Sequence, residues 1–594
     1  MAERHRADVL VSCVHESSPD LIPALKAEIK QRGLEGEVKV VEAGCRGMCA
    51  MGPVLLIEPD GTFYVGVKPA DVPELVEETL VKGRVVERLT YVEPTTHACV
   101  ATCNDIPFYS KQKRIVLRHC GMINPASIEE YIALGGYQAL GKVLGSMSPE
   151  EVIEAVTASG LRGRGGAGFS TGRKWASARK AEGEPKYMLV NGDEGDPNCF
   201  MDRALMEADP HSILEGMIIG AYAIGAHQGY IYIPYEHALS VKSIRTAIEQ
   251  AREYGLLGEG ILGSEFDFDI TLRLGAHCFV GGESTAIMHA IEGKASEPRP
   301  KHIHTTDVGV WGKPSCLNNV KTLNIVPEII NQGADWYASI GTEKSKGTQV
   351  FSLAGKVNNV GLAEVPMGIT VRELVFDVGG GVPGKGEFKA IQIGGPSGGF
   401  LPADLLDMPM DYETLAEAGS MMGTGGVIVA DNRTCVIDTA RYFLNFLQEQ
   451  SCGKCAPCRE GVRRMHQILT RITEGEGKME DLETLETLGQ AVKATSLCGL
   501  GKSAANPVLS TLRYFRDEYE AHIKDHKCPA GVCKALITYT IAADKCTGCG
   551  VCLRKCPQNA ISGKKKEPHV IDQALCIQCG VCYDVCKFDA VDVV

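Results

Sequence analysis

Apolar positions along the chain change period from segment to segment, and the changes mark its elements. In MSPEEVIEAVTASG (147–160) and the residue after it, Val152, Ile153, Val156 and Leu161 recur at near-helical spacing, with Ser148 a natural N-cap before Pro149. The run YMLV (187–190) is apolar throughout and bounded by turn residues, which predicts a buried strand. GYIYIPYEHA (229–238) predicts a second strand, and VKSIRTAIEQAREYG (241–255) the helix after it. Near the start, a helix in PDLIPALKAEIKQRG (19–33) precedes a strand in EVKVVEAG (37–44), a β-α-β opening. MDRALMEAD (201–209), GVRRMHQILTRITEG (461–475) and MEDLETLETLGQAVKATS (479–496) have helical period, whereas 351–375 and 388–400 read as short strands with Gly-rich turns. Alternating β and α units predict a layered α/β core, followed by a small α+β module and a helical bundle.

SGLRGRGGAGFSTGRKW (159–175) sits between two of these helices. Gly163, Gly165 and Gly168 satisfy G-x-G-x-x-G, the dinucleotide fingerprint, but that loop should follow a strand, and here a helix runs into it. A standard dinucleotide loop is therefore excluded, and no G-x-x-x-x-G-K-[ST] occurs. Downstream, the strand at 187–190 ends in Asn191, Asp193, Glu194 and Asp196, a polar set suited to a cleft, or to a solvated loop capping the next helix.

The length, 594 residues, implies roughly three to five domains. A formal charge of −13 argues against general binding to nucleic acid or anionic membranes. GMIIGAYAIGA (216–226) is too short to span a bilayer, and the N-terminus lacks an apolar signal core, so a cytoplasmic location is expected.

The 24 cysteines change the picture most, because they cluster at short spacings that point to metal and not to a disulfide framework. CTGCGVCLRKCP (546–557) and CIQCGVCYDVC (576–586) are two C-x2-C-x2-C-x3-C runs about thirty residues apart, the two-cluster ferredoxin pattern in which each fourth cysteine serves the other cluster. Cluster one would take Cys546, Cys549, Cys552 and Cys586; cluster two would take Cys576, Cys579, Cys582 and Cys556. Zinc does not explain a doubled four-cysteine run. QSCGKCAPCREG (450–461) offers Cys452, Cys455 and Cys458, and a helical bundle would return Cys498 as fourth ligand of another [4Fe–4S] centre. HIKDHKCPAGVC (522–533) mixes imidazole and thiol, which suits zinc; we expect His526, Cys528 and Cys533, with Cys435 as distant fourth ligand, against a polar helix end with two incidental thiols. Cys13, Cys45 and Cys49 lie in the thioredoxin-like opening, one thiolate short of a [2Fe–2S] site; His15, Ser17 or Ser18 completes it, or the cluster is lost.

GLRGRGGAGFSTGRKW, NGDEGDP, GGESTA, LNNVKTL and SCGKCAPCREG follow one another in the order found in the flavoprotein subunit of NADH:quinone oxidoreductase, and the chain resembles it across 110–520. With the thioredoxin-like start and ferredoxin end, the whole chain is similar to the flavin-bearing B subunit of electron-bifurcating hydrogenases, transhydrogenases and formate dehydrogenases. That resemblance implies a thioredoxin-like domain (1–95), a Rossmann-like FMN and NAD(P)H domain (96–345), a β-grasp module (346–430), an iron–sulfur bundle (431–527) and a ferredoxin domain (528–594). It implies that Gly163, Arg164, Gly165, Gly166, Phe169 and Lys174 lie against FMN and NADH. Asn191, Asp193 and Glu194 would hold the flavin ring or ribityl chain, Asn318, Asn319 and Thr322 its phosphate, with Gly282 and Glu283 beside the dinucleotide. No acid–base residue is required, since the chemistry is the cofactor's. Implied partners are an iron–sulfur A-type subunit, a small thioredoxin-like [2Fe–2S] C-type subunit and soluble ferredoxin, with no nucleic acid and no membrane.

The chain departs from the family pattern at Ser284, where a carboxylate is usual, at His304, where an aromatic is usual, at Ala176 and Ser177, and at Lys321, where an acid is usual. Fewer acids and more basic groups could admit the 2′-phosphate of NADP, though NAD is the reading favoured. The same changes motivate an alternative, an electron-wiring scaffold with a decayed nucleotide site. A dehydrogenase subunit without bifurcation is the other.

Overall fold

The computed structural model describes residues 5–12, 19–300 and 302–593. The chain divides into two compact units, one comprising 1–385, 391–429 and 497–499, the other 386–390, 430–496 and 500–594.

At the centre of the first unit are four parallel strands in the order Ser315–Asn319, Tyr187–Asn191, Gln228–Pro234, Asp269–Gly275. From Tyr187–Asn191 the chain moves outward twice, then returns to add Ser315–Asn319 on the opposite side. The order reverses between those two strands, and their carboxyl ends, Asn191 beside Asn319, open the crevice that such a switch point creates. Helix Pro210–Ile224, which contains most of the apolar run at 216–226, is buried along almost its whole length. Its small residues permit close packing: a Cβ on Gly216 would lie 2.0 Å from the Leu323 carbonyl, and one on Gly220 2.1 Å from Met188. An all-round apolar helix is thus core here, as expected for one enclosed by other elements. Among the described residues no helix is long and apolar enough to cross a membrane.

The glycine loop runs from helix Pro149–Ala158 into helix Thr171–Lys180, confirming the context that ruled out a standard dinucleotide loop. Ser148 caps the first helix through a reciprocal capping box with Glu151.

The N-terminal strands pair in the order Val38–Glu42, Ala7–Ser12, Val54–Glu58, Thr62–Tyr64, with the first two parallel and joined through helix Leu21–Gln31. A five-stranded sheet follows the central one, ordered Gly361–Pro366, Thr348–Gly355, Gly426–Asp431, Phe388–Ile393, Gly399–Pro402, and Thr348–Gly355 runs parallel to Gly426–Asp431.

The second unit carries helices Val436–Glu449, Ala456–Thr473, Glu480–Thr495 and Arg516–Lys524, then a small region of two short two-stranded sheets. Tyr539–Ile541 pairs with Val591–Val593, and Ile561–Ser562 with Val570–Ile571.

Candidate functional site

The glycine loop closes on itself and on the crevice. Gly163 N–H donates to the Phe169 carbonyl (2.8 Å), and Tyr412 Oη donates to the Gly163 carbonyl (2.9 Å). Gly165 has room for little else, since a Cβ would come within 3.1 Å of Asn319. Gly166 and Gly168 have φ of +108° and +60°, and a Cβ on Gly168 would meet the Tyr412 ring at 2.6 Å. Phe169 projects with 53% of its surface exposed.

Arg164 and Lys174 turn inward. The Arg164 guanidinium, 1% exposed, donates to the carbonyls of Arg162, Lys346 and Thr348 and to Tyr337 Oη, so it is spent within the protein. Lys174 Nζ donates to the Leu317 carbonyl (2.8 Å), and burial lowers its pKa.

Across the loop, three carboxylates follow the strand Tyr187–Asn191. Asn191 Nδ2 donates to the Gly282 carbonyl and its Oδ1 accepts from Asp193 N–H, both at 2.9 Å. The Asp193 side chain is fully buried, yet neither carboxylate oxygen accepts a hydrogen bond; the nearest cationic group is His277, its Nδ1 3.9 Å from Oδ1. Burial, then the neighbouring Glu236, Glu194 and Asp196, pushes its pKa up to about 8. Glu194 caps helix Met201–Ala208 by accepting from Asp202 and Arg203 N–H; burial, then Asp202, raises its pKa. Asp196 accepts from Thr424 Oγ1 (2.6 Å), and burial raises it to about 6. An orphaned buried carboxylate beside a backbone cradle fits a ligand carrying hydrogen-bond donors, as a flavin ring and ribityl chain do.

The residues after the other strand end are engaged within the protein. Asn318 Oδ1 accepts from Trp175 Nε1 (3.4 Å), Asn319 Nδ2 donates to Asp202 (2.5 Å), and Thr322 Oγ1 accepts from Arg164 N–H (2.9 Å). Glu283 caps helix Ser284–Ile291, accepting from Thr285 and Ala286 N–H and from Ser284 Oγ. Lys321 corrects one expectation. It is fully buried, with Nζ 3.0 Å from Asp202 and donating to the Thr424 carbonyl at 3.2 Å. Burial pulls its pKa down, but Asp202 and Glu194 outweigh it and hold the pKa raised. A lysine spent inside the crevice wall cannot meet a 2′-phosphate.

Sequence reading missed the floor of the crevice. Gly166 bridges to Gly423, and a Cβ on Gly395 would lie 2.8 Å from the Asp196 carboxylate. It also missed His277, whose Nδ1 is 3.9 Å from Asp193, and Cys278, against which a Cβ on Gly281 would press at 2.7 Å. The signal was faint: GGPSGGF reads as a turn until the fold brings it under the carboxylates.

In the second unit, Cys546, Cys549, Cys552 and Cys586 line one enclosed cavity, and Cys556, Cys576, Cys579 and Cys582 line another. In each cavity the fourth cysteine comes from the other run. Cys452 and Cys455 are half-buried, Cys455 stands at the N-cap of helix Ala456–Thr473, and Cys458 is buried with Sγ 3.3 Å from Ser451 Oγ. Cys498, in the short segment 497–499 of the first unit, is buried.

Among the described residues, one group of four metal-ligating side chains lies within 4.8 Å: Cys435, His522, Cys528 and Cys533. Cys435 Sγ is 3.7 Å from Cys533 Sγ and 3.5 Å from His522 Nε2, and Cys533 Sγ is 3.4 Å from the same nitrogen. A tetrahedral zinc with ~2.3 Å sulfur bonds has edges of about 3.8 Å, so the set fits. His522 Nδ1 bonds the Glu518 carbonyl (2.7 Å), turning Nε2 toward the thiols. The expected His526 is replaced. Helix Arg516–Lys524 ends before it, and with φ of +46° it leaves the helix face and stays exposed.

In the first unit, Cys45 and Cys49 have Sγ atoms 3.3 Å apart; Cys13, His15, Ser17 and Ser18 lie outside the described residues.

A crevice built for a donor-rich ligand and paired four-cysteine cavities define an oxidoreductase that combines an organic redox cofactor with iron–sulfur centres. The family described as the Nuo51 FMN-binding domain matches residues 156–328, the NADH-ubiquinone oxidoreductase-F iron-sulfur binding region matches 438–522, and a 4Fe-4S dicluster domain matches 545–590. The chain is 56% identical to the NADP-reducing hydrogenase subunit HndC of Solidesulfovibrio fructosivorans over 81% of its length and 98% of that protein. It is 40% identical to the F subunit of the NADH-quinone oxidoreductase of Escherichia coli over 67% of this chain and 90% of the relative. A solved NAD+-reducing [NiFe]-hydrogenase chain superposes with a TM-score of 0.62 at 29% identity, covering 88% of this chain and 85% of that one. The chain belongs to the family of the NADH:quinone oxidoreductase F subunit and its hydrogenase counterparts, whose members are NAD(P)H-dependent oxidoreductase subunits with FMN and iron–sulfur domains.

Proposed function

We propose that this chain is the FMN-bearing subunit of a soluble electron-bifurcating complex, exchanging hydride with NAD(H) and passing single electrons through [4Fe–4S] clusters to or from ferredoxin and a partner enzyme. The observation that carries the reading is Asp193, a buried carboxylate just past the strand end at the switch point whose oxygens accept no hydrogen bond, packed beside Gly281 and Gly282. FMN, when bound, supplies the exchange between two-electron hydride transfer and one-electron transfer. Asn191, Asp193 and Glu194 would hold its ring or ribityl chain; Asn318, Asn319 and Thr322, at the start of helix Val320–Gln332, would hold its phosphate. Gly163, Gly165 and Gly166 keep that side free of Cβ atoms, Phe169 offers a ring to the nucleotide, and Gly282 and Glu283 border it. Arg164 and Lys174 brace the loop from behind.

Three [4Fe–4S] clusters complete the route, at Cys452, Cys455, Cys458 and Cys498 and at the two four-cysteine cavities. Zinc occupies Cys435, His522, Cys528 and Cys533 as a structural ion. The N-terminal strand order, second-first-third-fourth, supports a thioredoxin-like domain, and Cys45 and Cys49 support a [2Fe–2S] centre there with Cys13. The second-first-fifth-third-fourth order, with first and last strands parallel, supports the β-grasp module. Partners of the A and C types follow from the same reading.

The deciding experiment adds NADH and NADPH separately to the FMN-loaded protein under anaerobic conditions and follows flavin absorbance. Bleaching by NADH supports the reading as stated. Bleaching only by NADPH makes Ser284 and His304 the basis of nucleotide choice, because Lys321 is buried. With neither, the chain is a scaffold.

A further inference from the structure

The ferredoxin region is a duplication whose halves are read against each other position by position. Cys546 corresponds to Cys576, Gly550 to Gly580 and Tyr539 to His569, thirty residues apart. The fold keeps the correspondence: the first strand of each half pairs with the second strand of the other, Tyr539–Ile541 with Val591–Val593 and Val570–Ile571 with Ile561–Ser562. The cavity linings correspond too, with Ile541, Thr547 and Ala590 in one at the positions of Ile571, Ile577 and Ala560 in the other. What differs between the halves is therefore a difference imposed on otherwise equal cluster sites.

The main difference is charge. On the short helix of the first half stands Arg554; at the same place in the second stands Asp584. Each is held alike, with Arg554 N–H directed to the Gly550 carbonyl (3.3 Å) and Asp584 N–H to the Gly580 carbonyl (3.1 Å). The Arg554 guanidinium folds back over its loop, 3.3 Å from where a Cβ on Gly550 would be. Lys545 flanks Cys546 where Leu575 flanks Cys576, and Lys587 follows Cys586 where Pro557 follows Cys556. The segment carrying Lys564, Lys565 and Lys566 is pinned over the first loop by Lys566 N–H on the Gly548 carbonyl (3.1 Å). Asp544, Glu567, Asp589 and Asp592, the last 3.8 Å from Lys545 Nζ, offset part of this, and Lys555, next to Cys556, is the cation on the second side. The balance leaves the first cavity in a positive surround and the second in a neutral to negative one.

We propose that the two clusters of this region are polarised: the one held by Cys546, Cys549, Cys552 and Cys586 has the higher reduction potential and takes the first electron, with Arg554 and Asp584 setting the order. Adding an electron makes a cluster more negative, so nearby cations favour the reduced form and anions disfavour it. The inference rests on the reading that both cavities hold [4Fe–4S] clusters.

The test is a dithionite titration of the full-length holoprotein, followed by electron paramagnetic resonance, for wild type, Arg554→Gln and Asp584→Asn. Both side chains are exposed, so the fold should survive, and iron content checks that the clusters do. Arg554→Gln should lower the midpoint of the first cluster reduced and leave the second in place. Asp584→Asn should raise the second, and the double variant should draw the two together. If Arg554→Gln moves only the second midpoint, or neither, the proposal is overturned. If wild-type protein falls short of the about fourteen iron atoms that three [4Fe–4S] clusters and the [2Fe–2S] centre need together, by about four or eight, the reading of one or both of these clusters fails, a separate result.

Discussion

Asp193 is buried with neither oxygen hydrogen-bonded, and burial pushing its pKa up to about 8 has a consequence for stability in the FMN-free protein. The folded carboxyl keeps its proton up to that pH, whereas in the unfolded chain it ionises near pH 4. Between those values the folded state binds more protons, so unfolding free energy falls as pH rises, by up to about 1.4 kcal/mol per pH unit. Asp193→Asn removes this carboxyl's share of the slope, leaving that of Glu194 and Asp196. Without FMN, its melting temperature should match wild type near about pH 4 and exceed it increasingly toward about pH 8. A gap that stays flat across that range would mean burial is not what governs this carboxyl. His522 and His526 give a second residue-scale contrast. Zinc analysis should find the metal lost, with a large drop in thermal stability, in His522→Ala, and retained in His526→Ala. His526 was the ligand expected from the sequence; i, i+4 spacing would put it on the face of His522, but the helix stops at Lys524, so His522 joins the thiols and His526 does not. Asp193 and Glu194 were legible because they follow a predicted strand. The commitments of Arg164 and Lys321 were not, since their partners, at 337–348 and at 202 and 424, are far away in sequence.

The glycine loop shows how an element's geometry, more than its letters, decides what each glycine does. Gly163 lacks a positive φ, and a Cβ there would make an ordinary 3.5 Å contact with the Phe169 carbonyl. Gly168 has φ of +60° and faces the Tyr412 ring, which itself hydrogen-bonds the Gly163 carbonyl and lies 4.1 Å beneath the Arg162 guanidinium. Gly168→Ala should therefore cost about 1–3 kcal/mol and displace the loop, whereas Gly163→Ala should change stability by less than about 1 kcal/mol. Denaturant unfolding and FMN content after purification measure both. Equal behaviour of the two variants would show that the loop is not braced by Tyr412. The motif test was right to reject a strand before this loop. It could not show that Gly166 bridges Gly423, because that contact depends on a module more than 200 residues later.

At the scale of the whole molecule, the proposed function has electrons leave the flavin through a cluster at Cys452, Cys455, Cys458 and Cys498 for the paired ferredoxin cavities. If the middle cluster is the obligatory link, cutting it should separate flavin chemistry from the ferredoxin end without harming either. Cys458→Ser is the cleanest cut. Its thiol is buried, the substitution is nearly isosteric, and a hydroxyl is a poor substitute for the soft thiolate that iron–sulfur clusters select. The variant should still bleach its flavin stoichiometrically with reduced nicotinamide, because Asp193 and the glycine loop are untouched. Reduction of the two C-terminal clusters by nicotinamide should slow by about 100-fold or more. Dithionite, which needs no internal route, should still reduce them fully. Stopped-flow absorbance for the flavin and freeze-quenched paramagnetic resonance for the clusters separate the two events. If the C-terminal clusters are reduced at the wild-type rate in Cys458→Ser, electrons reach them without the middle centre, and its cysteines hold the bundle together instead of wiring it.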